Sequence, residues 1–405
     1  MDKTEFKRKV RFVTNFGRVL HSVGTPAHTL EATMQELCRK FGLKGEIVSL
    51  PTAIFSSFTD QEGEEEVTKI HRVEPVGVNL GKLSQVDMIS REVISGQISY
   101  EDGIIGLENI VNAPDPYGKR MTVACFLLSA IGFLVLFGGN WGDLVAVAVV
   151  GTLMGLLSLF RPLGLVAQLF EAIVAMVAAL STYLMAKWIP SLNVPVIILS
   201  GLIIFMPGLN ITIAISEIAT YNLTSGTSRL VGGIMTTLKL TFGVFLGSKI
   251  ASWFHYSSID IDFNPIAPWV IIITLPITAL MFTVNFKAKR ADWKWIFIAG
   301  IFGYFCSRLG THYLGPELGI FFGGACVGAG SNLFARLMNR PSSLFHFPGI
   351  ILLVPGSISY RSMSFLFEQD VMGGLNMAFL ALAMAMSLVV GLFFGNILVK
   401  PRSSL

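Results

Sequence analysis

The chain has 405 residues, of which 53% are hydrophobic and only 14% are charged, whereas about a quarter of the residues in an average soluble domain are charged. This composition excludes a single soluble globule, because one core cannot bury so much apolar surface. The net charge of +4 excludes a strongly basic protein, so nucleic acid is not an expected partner. The four cysteines are scattered and match neither a disulfide framework nor a zinc motif, so we expect no metal or cofactor.

Residues 1–118 carry an ordinary density of charged side chains and predict a separate domain. Apolar residues recur at helical spacing over residues 5–20, which indicates an amphipathic helix. A second helix follows, with Thr25 as its expected cap and Pro26 at its first position. The first twenty residues contain no continuous apolar run, so we expect no cleaved signal peptide and a cytoplasmic N-terminus.

Two β-rich stretches come next, Glu46 to Phe58 and Val67 to Val76, and they predict a hairpin or two neighbouring strands. Helical patterns then lead to a cluster of helix-breaking residues at 112–118. The sequence therefore predicts a small α+β cytoplasmic domain over residues 1–118. No spacing in it matches a catalytic or metal-binding motif, so we expect a regulatory or structural role.

The remainder of the chain predicts an all-α polytopic membrane protein with about ten transmembrane helices. Its apolar stretches suit a hydrocarbon layer about 30 Å thick. We expect a first five-helix module over 119–251, an external linker over 252–267 and a second five-helix module over 268–405. The predicted spans lie near residues 120–139, 143–160, 165–186, 195–220, 229–251, 268–286, 293–309, 315–338, 345–367 and 373–399.

Positively charged residues predict the orientation of these spans, because lysine and arginine accumulate in cytoplasmic loops. The linker 252–267 has neither residue. We therefore expect a multi-pass protein of a bacterial-type inner (plasma) membrane with both termini in the cytoplasm. The loops expected on that side contain Lys119, Arg120, Arg161, Arg229, Lys287, Lys289, Arg290, Lys294, Arg336, Arg340, Lys400 and Arg402.

The two modules resemble each other when Pro207-Gly208 is aligned with Pro355-Gly356, an offset of 148 residues. The glycine pair 243 and 247 then falls on the pair 391 and 395, and we assign both pairs to close helix packing. Because each module has an odd number of spans, the second copy would be inserted upside down. The sequence thus predicts two inverted five-helix repeats, an architecture typical of alternating-access carriers.

Each Pro-Gly pair is expected to break the fourth span of its module near the middle of the membrane. Freed N–H groups at such a break can bind an anion, and freed carbonyls can bind an ammonium group. A structural kink that neighbouring helices satisfy is the alternative interpretation. The candidate substrate-binding residues are Pro207, Gly208, Asn210, Thr212, Pro355, Gly356, Ser357, Ser359 and Tyr360.

Four ionisable residues within the predicted spans are candidates for proton or ion coupling: Glu171, Glu217, Glu317 and Lys239. Charged side chains are costly in a membrane, which makes function the first hypothesis for them. Glu171 and Glu317 occupy matching positions in the third and eighth spans. Glu217 has an alternative role, in which it pairs with Arg229 at the cytoplasmic edge.

Several motifs together resemble the threonine/serine exporter family, which joins a cytoplasmic domain to two membrane modules. They are GTPAHTLEATMQELCRKFG, VTKIHRVEPVGVNLGKLSQVDMISREVISG, MPGLNITIAISEIATYNLTSGTSRL and FPGIILLVPGSISYRSM. The family pattern after the first Pro-Gly maps onto Glu217, Asn222, Ser225, Gly226 and Arg229. The resemblance implies export of threonine and serine driven by the proton motive force, and relatives with split subunits imply dicarboxylates as a further substrate class.

The function expected from these observations is secondary active export of threonine, serine or related small carboxylates, with a small-molecule substrate, a coupling proton and membrane lipid as partners. A small-solute channel and a membrane-embedded hydrolase are the alternatives, and a homo-oligomer is left open. The sequence contains no HExxH or GxSxG motif, so we expect no enzyme and no catalytic residues. It also lacks a Walker A loop, which makes ATP an unlikely energy source within this chain.

Overall fold

The computed structural model describes residues 3–60, 63, 66–74, 77–160, 163–189, 191–253, 265–367 and 369–401. Within these ranges the chain is mostly helical, with one small antiparallel sheet near the N-terminus. Most of the predicted external linker, residues 254–264, lies outside the described residues, as does Arg161.

The N-terminal domain is the α+β domain that the sequence predicts. Its sheet has the order β1-β2-β3 with antiparallel pairing throughout. The predicted strand Glu46 to Phe58 was wrong as a single strand, because the chain turns at Pro51-Thr52 and splits it into two paired strands. The elements are α1 (Lys3–Ser22), α2 (Ala27–Lys40), β1 (Lys44–Leu50), β2 (Ala53–Thr59), β3 (Glu66–Arg72), α3 (Leu80–Ile94) and α4 (Tyr100–Asn112).

The core of this domain is built by the apolar face of α1. Phe6, Phe12 and Phe16 are each almost completely buried, and they belong to one cluster with Leu37 of α2 and Phe58 of β2. Full burial of a large apolar side chain stabilises the fold by about 1.5–3 kcal/mol. The helical spacing of apolar residues in α1 is therefore the feature that attaches α2 and the sheet to it.

The remaining helices follow the predicted spans closely, and two of those spans are divided into half-helices. Breaks occur between α8 and α9 and between α14 and α15. The helices are α5 (Lys119–Leu136), α6 (Asp143–Leu157), α7 (Leu165–Ala186), α8 (Val194–Leu202), α9 (Gly208–Ala219), α10 (Leu223–Ser252), α11 (Ile271–Asn285), α12 (Trp293–Leu314), α13 (Pro316–Met338), α14 (Ser343–Ile350), α15 (Gly356–Phe367) and α16 (Val371–Leu398).

Six of the described helices are long and apolar enough to cross a membrane. The number rises to seven if the first bent pair counts as one span, with segments Val194–Phe205 and Gly208–Ala219 at 56° to each other. Helix α6 is apolar but shorter. Length and composition thus indicate a multi-pass membrane protein, and the ten-crossing inverted arrangement stays a prediction.

The glycine pairs of α10 and α16 lie at close helix contacts in the two modules. A Cβ atom on Gly247 would lie 2.6 Å from the Met176 carbonyl oxygen of α7. A Cβ on Gly395 would lie 2.5 Å from the Ala325 carbonyl oxygen of α13. The packing role predicted for these glycines is confirmed, since a larger residue would force the helix backbones apart.

The N-terminal domain rests directly on the helices that follow it. The Leu80 amide donates to the Phe286 carbonyl over 2.9 Å, and a side chain at Gly81 would overlap with the Lys287 carbonyl oxygen. Arg91 donates to both oxygens of Asn339, at 2.9 and 2.7 Å. Helix α3 is therefore fixed to the loops after α11 and α13 through backbone groups as well as side chains.

We expect Gly243→Ala and Gly232→Ala, in the same helix, to change stability in opposite directions. A methyl group on Gly243 would overlap with the Ala172 carbonyl oxygen, and overpacking costs about 1–3 kcal/mol. Nothing lies within 4 Å of a Cβ on Gly232, where alanine should stabilise the helix by up to about 1 kcal/mol. Melting temperatures of the purified variants in detergent test this, and shifts of the same sign would contradict it.

Candidate functional site

The two predicted helix breaks are present at the two Pro-Gly pairs. Helix α9 begins at Gly208 directly after Pro207, and α15 begins at Gly356 directly after Pro355. Proline supplies no backbone N–H, so each half-helix starts where the previous hydrogen-bond ladder has to stop. The first intrahelical bonds are Ile211 N–H to Pro207 O and Ser359 N–H to Pro355 O. The N–H groups before them have no partner within their helix.

The two breaks lie against each other. A Cβ atom on Gly208 would lie 2.9 Å from the Cα of Gly356, and one on Gly356 would lie 3.2 Å from the Cα of Gly208. A Cβ atom at Gly208 would force the two backbones apart, and one at Gly356 would require its neighbour to shift by a few tenths of an ångström. As a result, the N-terminal ends of α9 and α15, one from each module, meet at a single point.

A cavity of about 270 Å³, here called the break cavity, opens beside this meeting point. Its lining includes Gly208 and Asn210 from one break, and Gly356 and Ser357 from the other. Apolar side chains complete most of the wall, and Gly77 and Val78 of the N-terminal domain also contact it. Two further polar residues line it that the sequence did not single out, Ser129 and Asn285.

Three predicted substrate-binding residues lie away from the break cavity. The Thr212 hydroxyl donates to the Gly208 carbonyl over 3.1 Å, and its side chain borders a second, larger cavity. The Ser359 hydroxyl donates to the Pro355 carbonyl over 3.0 Å. Tyr360 is buried among the apolar residues around α6 and α8. Four of the nine predicted substrate-binding residues, Gly208, Asn210, Gly356 and Ser357, therefore line the break cavity. The Thr212 and Ser359 hydroxyls instead bond to carbonyls of their own half-helix, one turn before them.

Two of the predicted coupling residues form an ion pair. Lys239, near the middle of α10, lies 3.5 Å from a Glu171 carboxylate oxygen of α7, and both side chains are about 30% exposed. Glu317 occupies the first turn of α13 and is exposed. Its carbonyl accepts a hydrogen bond from Ser387 of α16. Glu171 of α7 thus contacts Lys239 of α10, and Glu317 of α13 contacts Ser387 of α16. Lys239 and Ser387 are 148 residues apart, which is the offset between the two modules.

Glu217, in the last turn of α9, has a fully buried side chain at the contact with the N-terminal domain. Arg229 of α10 donates to both of its oxygens, at 3.2 and 3.3 Å. The Ser225 hydroxyl donates to it over 3.2 Å, and the Ala27 amide at the start of α2 donates over 2.9 Å. One carboxylate thus joins two membrane-module helices to the N-terminus of a helix in the other domain.

The cap predicted for α2 at Thr25 was wrong. Pro26 occupies the N-cap position and offers no side-chain hydrogen bond, and the Thr25 hydroxyl has no partner among the described residues. The Glu217 carboxylate takes over that role, because it accepts from the first N–H of α2 and lies at the positive end of the helix. Local sequence gives no sign of a cap that is contributed from so far along the chain.

We expect Glu217→Ala to destabilise the protein by about 3 kcal/mol, because it leaves the partly buried Arg229 without its carboxylate and α2 without a cap. The loss should be visible as faster hydrogen exchange at the start of α2. Glu101→Ala is the control, since Glu101 pairs with Arg8 on the exposed surface and should cost less than about 1 kcal/mol. Equal effects of the two substitutions would contradict this role for Glu217.

Comparisons with known proteins match most of the chain to one family. The sequence profile described as "Putative threonine/serine exporter" matches residues 11–251, and that described as "Threonine/Serine exporter, ThrE" matches residues 271–398. No solved structure matches the chain.

Among curated proteins, the chain is similar to fungal membrane proteins that are longer than itself. An uncharacterized protein of Schizosaccharomyces pombe is 23% identical over 88% of this chain and 44% of its own length. "Pheromone-regulated membrane protein 10" of Pichia sorbitophila is 25% identical over 89% of this chain and 37% of its own. The protein of that name in Candida albicans is 26% identical over 92% and 34%. The chain therefore spans less than half the length of these relatives.

The two profile matches together cover both modules and most of the N-terminal domain. They confirm the resemblance carried by the Pro-Gly motifs and by the residues around Glu217. This chain is a multi-pass membrane protein that belongs to the threonine/serine exporter family.

Proposed function

We propose that this protein is a secondary active exporter of small carboxylate-bearing solutes, with threonine and serine as its first substrates. The observation that carries the proposal is the meeting of two helix N-termini at the break cavity. Each N-terminus carries about half a positive charge from the helix dipole. Two of them facing one cavity favour a carboxylate there, in the way that broken helices bind substrates in other carriers.

The side chains of the break cavity can bind the rest of an amino acid. Asn210, Asn285, Ser129 and Ser357 supply carbonyl and hydroxyl oxygens that can accept from an ammonium group, together with donors for a substrate hydroxyl. The cavity of about 270 Å³ is small, which suits a solute of the size of threonine better than a drug-sized ligand.

We propose further that the membrane part forms ten crossings in two inverted modules, over 119–251 and 268–405, with the 252–267 linker outside and residues 1–118 and both termini in the cytoplasm of an inner membrane. The matching breaks and the matching glycine contacts of α10 and α16 support this arrangement. Labelling of single introduced cysteines in intact cells by an impermeant thiol reagent tests it. Labelling at 257 but not at 63 is expected, and the reverse would contradict the orientation.

Coupling to protons is proposed to involve Glu171 and Lys239, with Glu317 as the counterpart in the second module. The Glu171–Lys239 pair is only partly exposed, so protonation of the carboxylate would release the lysine and change the charge inside a helix contact. Glu217 stays a candidate for the same role, although its oxygens already accept from Arg229, Ser225 and Ala27.

Asn210→Ala and Ser357→Ala should each reduce efflux of labelled threonine from loaded proteoliposomes by about tenfold, because each removes a hydrogen bond to a charged substrate. Ser248→Ala and Thr236→Ala are the matched controls. Their hydroxyls donate only to carbonyls of their own helix on its exposed side, so efflux should be unchanged. Normal efflux in both cavity variants would reject this site.

Glu171→Gln should abolish the dependence of efflux on a pH gradient while exchange between internal and external threonine continues. The reason is that glutamine keeps the size of the side chain but cannot bind or release a proton. Flux with and without an uncoupler measures the effect, and Glu317→Gln and Glu217→Gln are compared in the same way. If pH-driven flux is unchanged in both Glu171→Gln and Glu317→Gln, the proposed coupling is wrong.

A further inference from the structure

A second cavity of about 770 Å³ lies between the N-terminal domain and helices of both membrane modules. One wall is the helix α2, and the others come from α9, α13, α14 and α16. We call it the α2 chamber. It is distinct from the break cavity, with which it shares no lining residue. Its volume falls within the range of about 300–1,000 Å³ that is typical of ligand pockets.

The α2 chamber contains polar groups whose hydrogen-bonding capacity is not used. His28 of α2 and His346 of α14 both line it, and the buried Nδ1 of His28 has no partner among the described residues. Asn396 accepts a hydrogen bond from Asn332 through Oδ1 over 2.7 Å. Its amide nitrogen donates to no residue in the described part of the chain, which leaves it available to a ligand.

The charges around the α2 chamber favour an anion. Among the described residues that line it, the one acidic residue is Glu36, which forms an ion pair with Arg39 at 2.5 Å. Lys400 adds a positive charge at the edge, and the His28 imidazole can become cationic when an anion approaches. A polar cavity with an excess of positive groups and spare donors matches a carboxylate better than a cation or an apolar molecule.

Burial is the main cause that lowers the pKa of His28 below its ordinary value, while the nearby Glu217 carboxylate opposes it and Arg229 adds to it. The His28 side chain is therefore neutral at neutral pH when the chamber is empty. A bound carboxylate would add a second negative charge close to the imidazole and would favour its protonated, hydrogen-bonding form. The other charged groups that face this region are Glu36, Arg39 and Lys400.

We propose that the α2 chamber is a binding site for a small organic carboxylate, in which His28 of the N-terminal domain and His346 of the second module hold the carboxylate group together. The choice of ligand rests on the proposed export function. The existence of the site rests on the cavity alone. The Ala27–Glu217 hydrogen bond holds α2 in place as one of its walls. In this arrangement the N-terminal domain contributes directly to ligand binding.

The test is the rise in melting temperature of the purified full chain in detergent as ligand is added, since a ligand that binds the folded state stabilises it by mass action. The probes are L-threonine, threoninamide, succinate and inorganic phosphate. Threonine or succinate should raise the melting temperature, and threoninamide should not, because it lacks the carboxylate. The comparison of threonine with succinate distinguishes an amino acid from a dicarboxylate as the ligand.

His28→Gln combined with His346→Gln should raise the concentration needed for half of this effect by about tenfold or more, through the loss of charge-assisted hydrogen bonds. His71→Gln and His312→Gln are the matched controls, one in each part of the protein and neither at the chamber. Lys400→Gln is a second test that does not depend on correct folding of the histidine variants, because Lys400 is exposed and lies outside the helices. It should weaken the binding of succinate more than that of threonine.

An unchanged half-maximal concentration in the double histidine variant and in Lys400→Gln, or equal stabilisation by threonine and threoninamide, would overturn the inference. The outcome is separable from that of the export proposal. Stabilisation that depends on carboxylate and on both histidines, without threonine efflux, would support the chamber and reject export. Normal efflux with no effect of these substitutions on ligand binding would reject the chamber alone.

Discussion

Backbone N–H and C=O groups in an apolar environment must all find partners, and this constraint accounts for the central feature of the protein. A proline in the middle of an apolar helix frees several of these groups at once. Here two such breaks are placed against each other through Gly208 and Gly356. The first N–H groups of α9 and α15 have no partner within their helices. Both half-helices begin at a glycine that lines the break cavity, where a ligand can satisfy these groups.

The rest of the membrane part supports that meeting point. The glycines of α10 and α16 let each helix lie directly on α7 or α13, so each module contains one closely packed helix pair. Helix α10 also contacts the half-helix α9, and α16 contacts the half-helix α15, so each pair includes a helix that packs beside a break.

Sequence alone was sufficient for the positions of the helices and insufficient for the contacts between them. Helix limits and both breaks followed from apolar stretches and from Pro-Gly pairs, which act over a few residues. The pairing of Glu217 with Arg229 was open as an alternative and is present. The bond from Ala27 to Glu217 could not be foreseen, because helical periodicity says nothing about which distant elements meet.

The same limit explains the residues that sequence reasoning missed. Ser129 and Asn285 lie inside ordinary apolar stretches, and only the fold brings them to the break cavity. His28 belongs to no sequence motif, and its position in the α2 chamber becomes apparent only when α2 is docked. Conversely, Tyr360 was chosen for its depth along the chain, and it packs in the apolar interior instead.

The cap of α2 also bears on the order in which the protein can be assembled. Ala27 and Glu217 are separated by 190 residues, so the N-terminal domain is synthesised long before the carboxylate that completes its second helix. The Leu80 amide likewise obtains its acceptor, the Phe286 carbonyl, only after residue 286 has been synthesised. The N-terminal domain therefore completes its hydrogen bonds only after the chain has been synthesised as far as Phe286, which couples its final structure to the insertion of the first module.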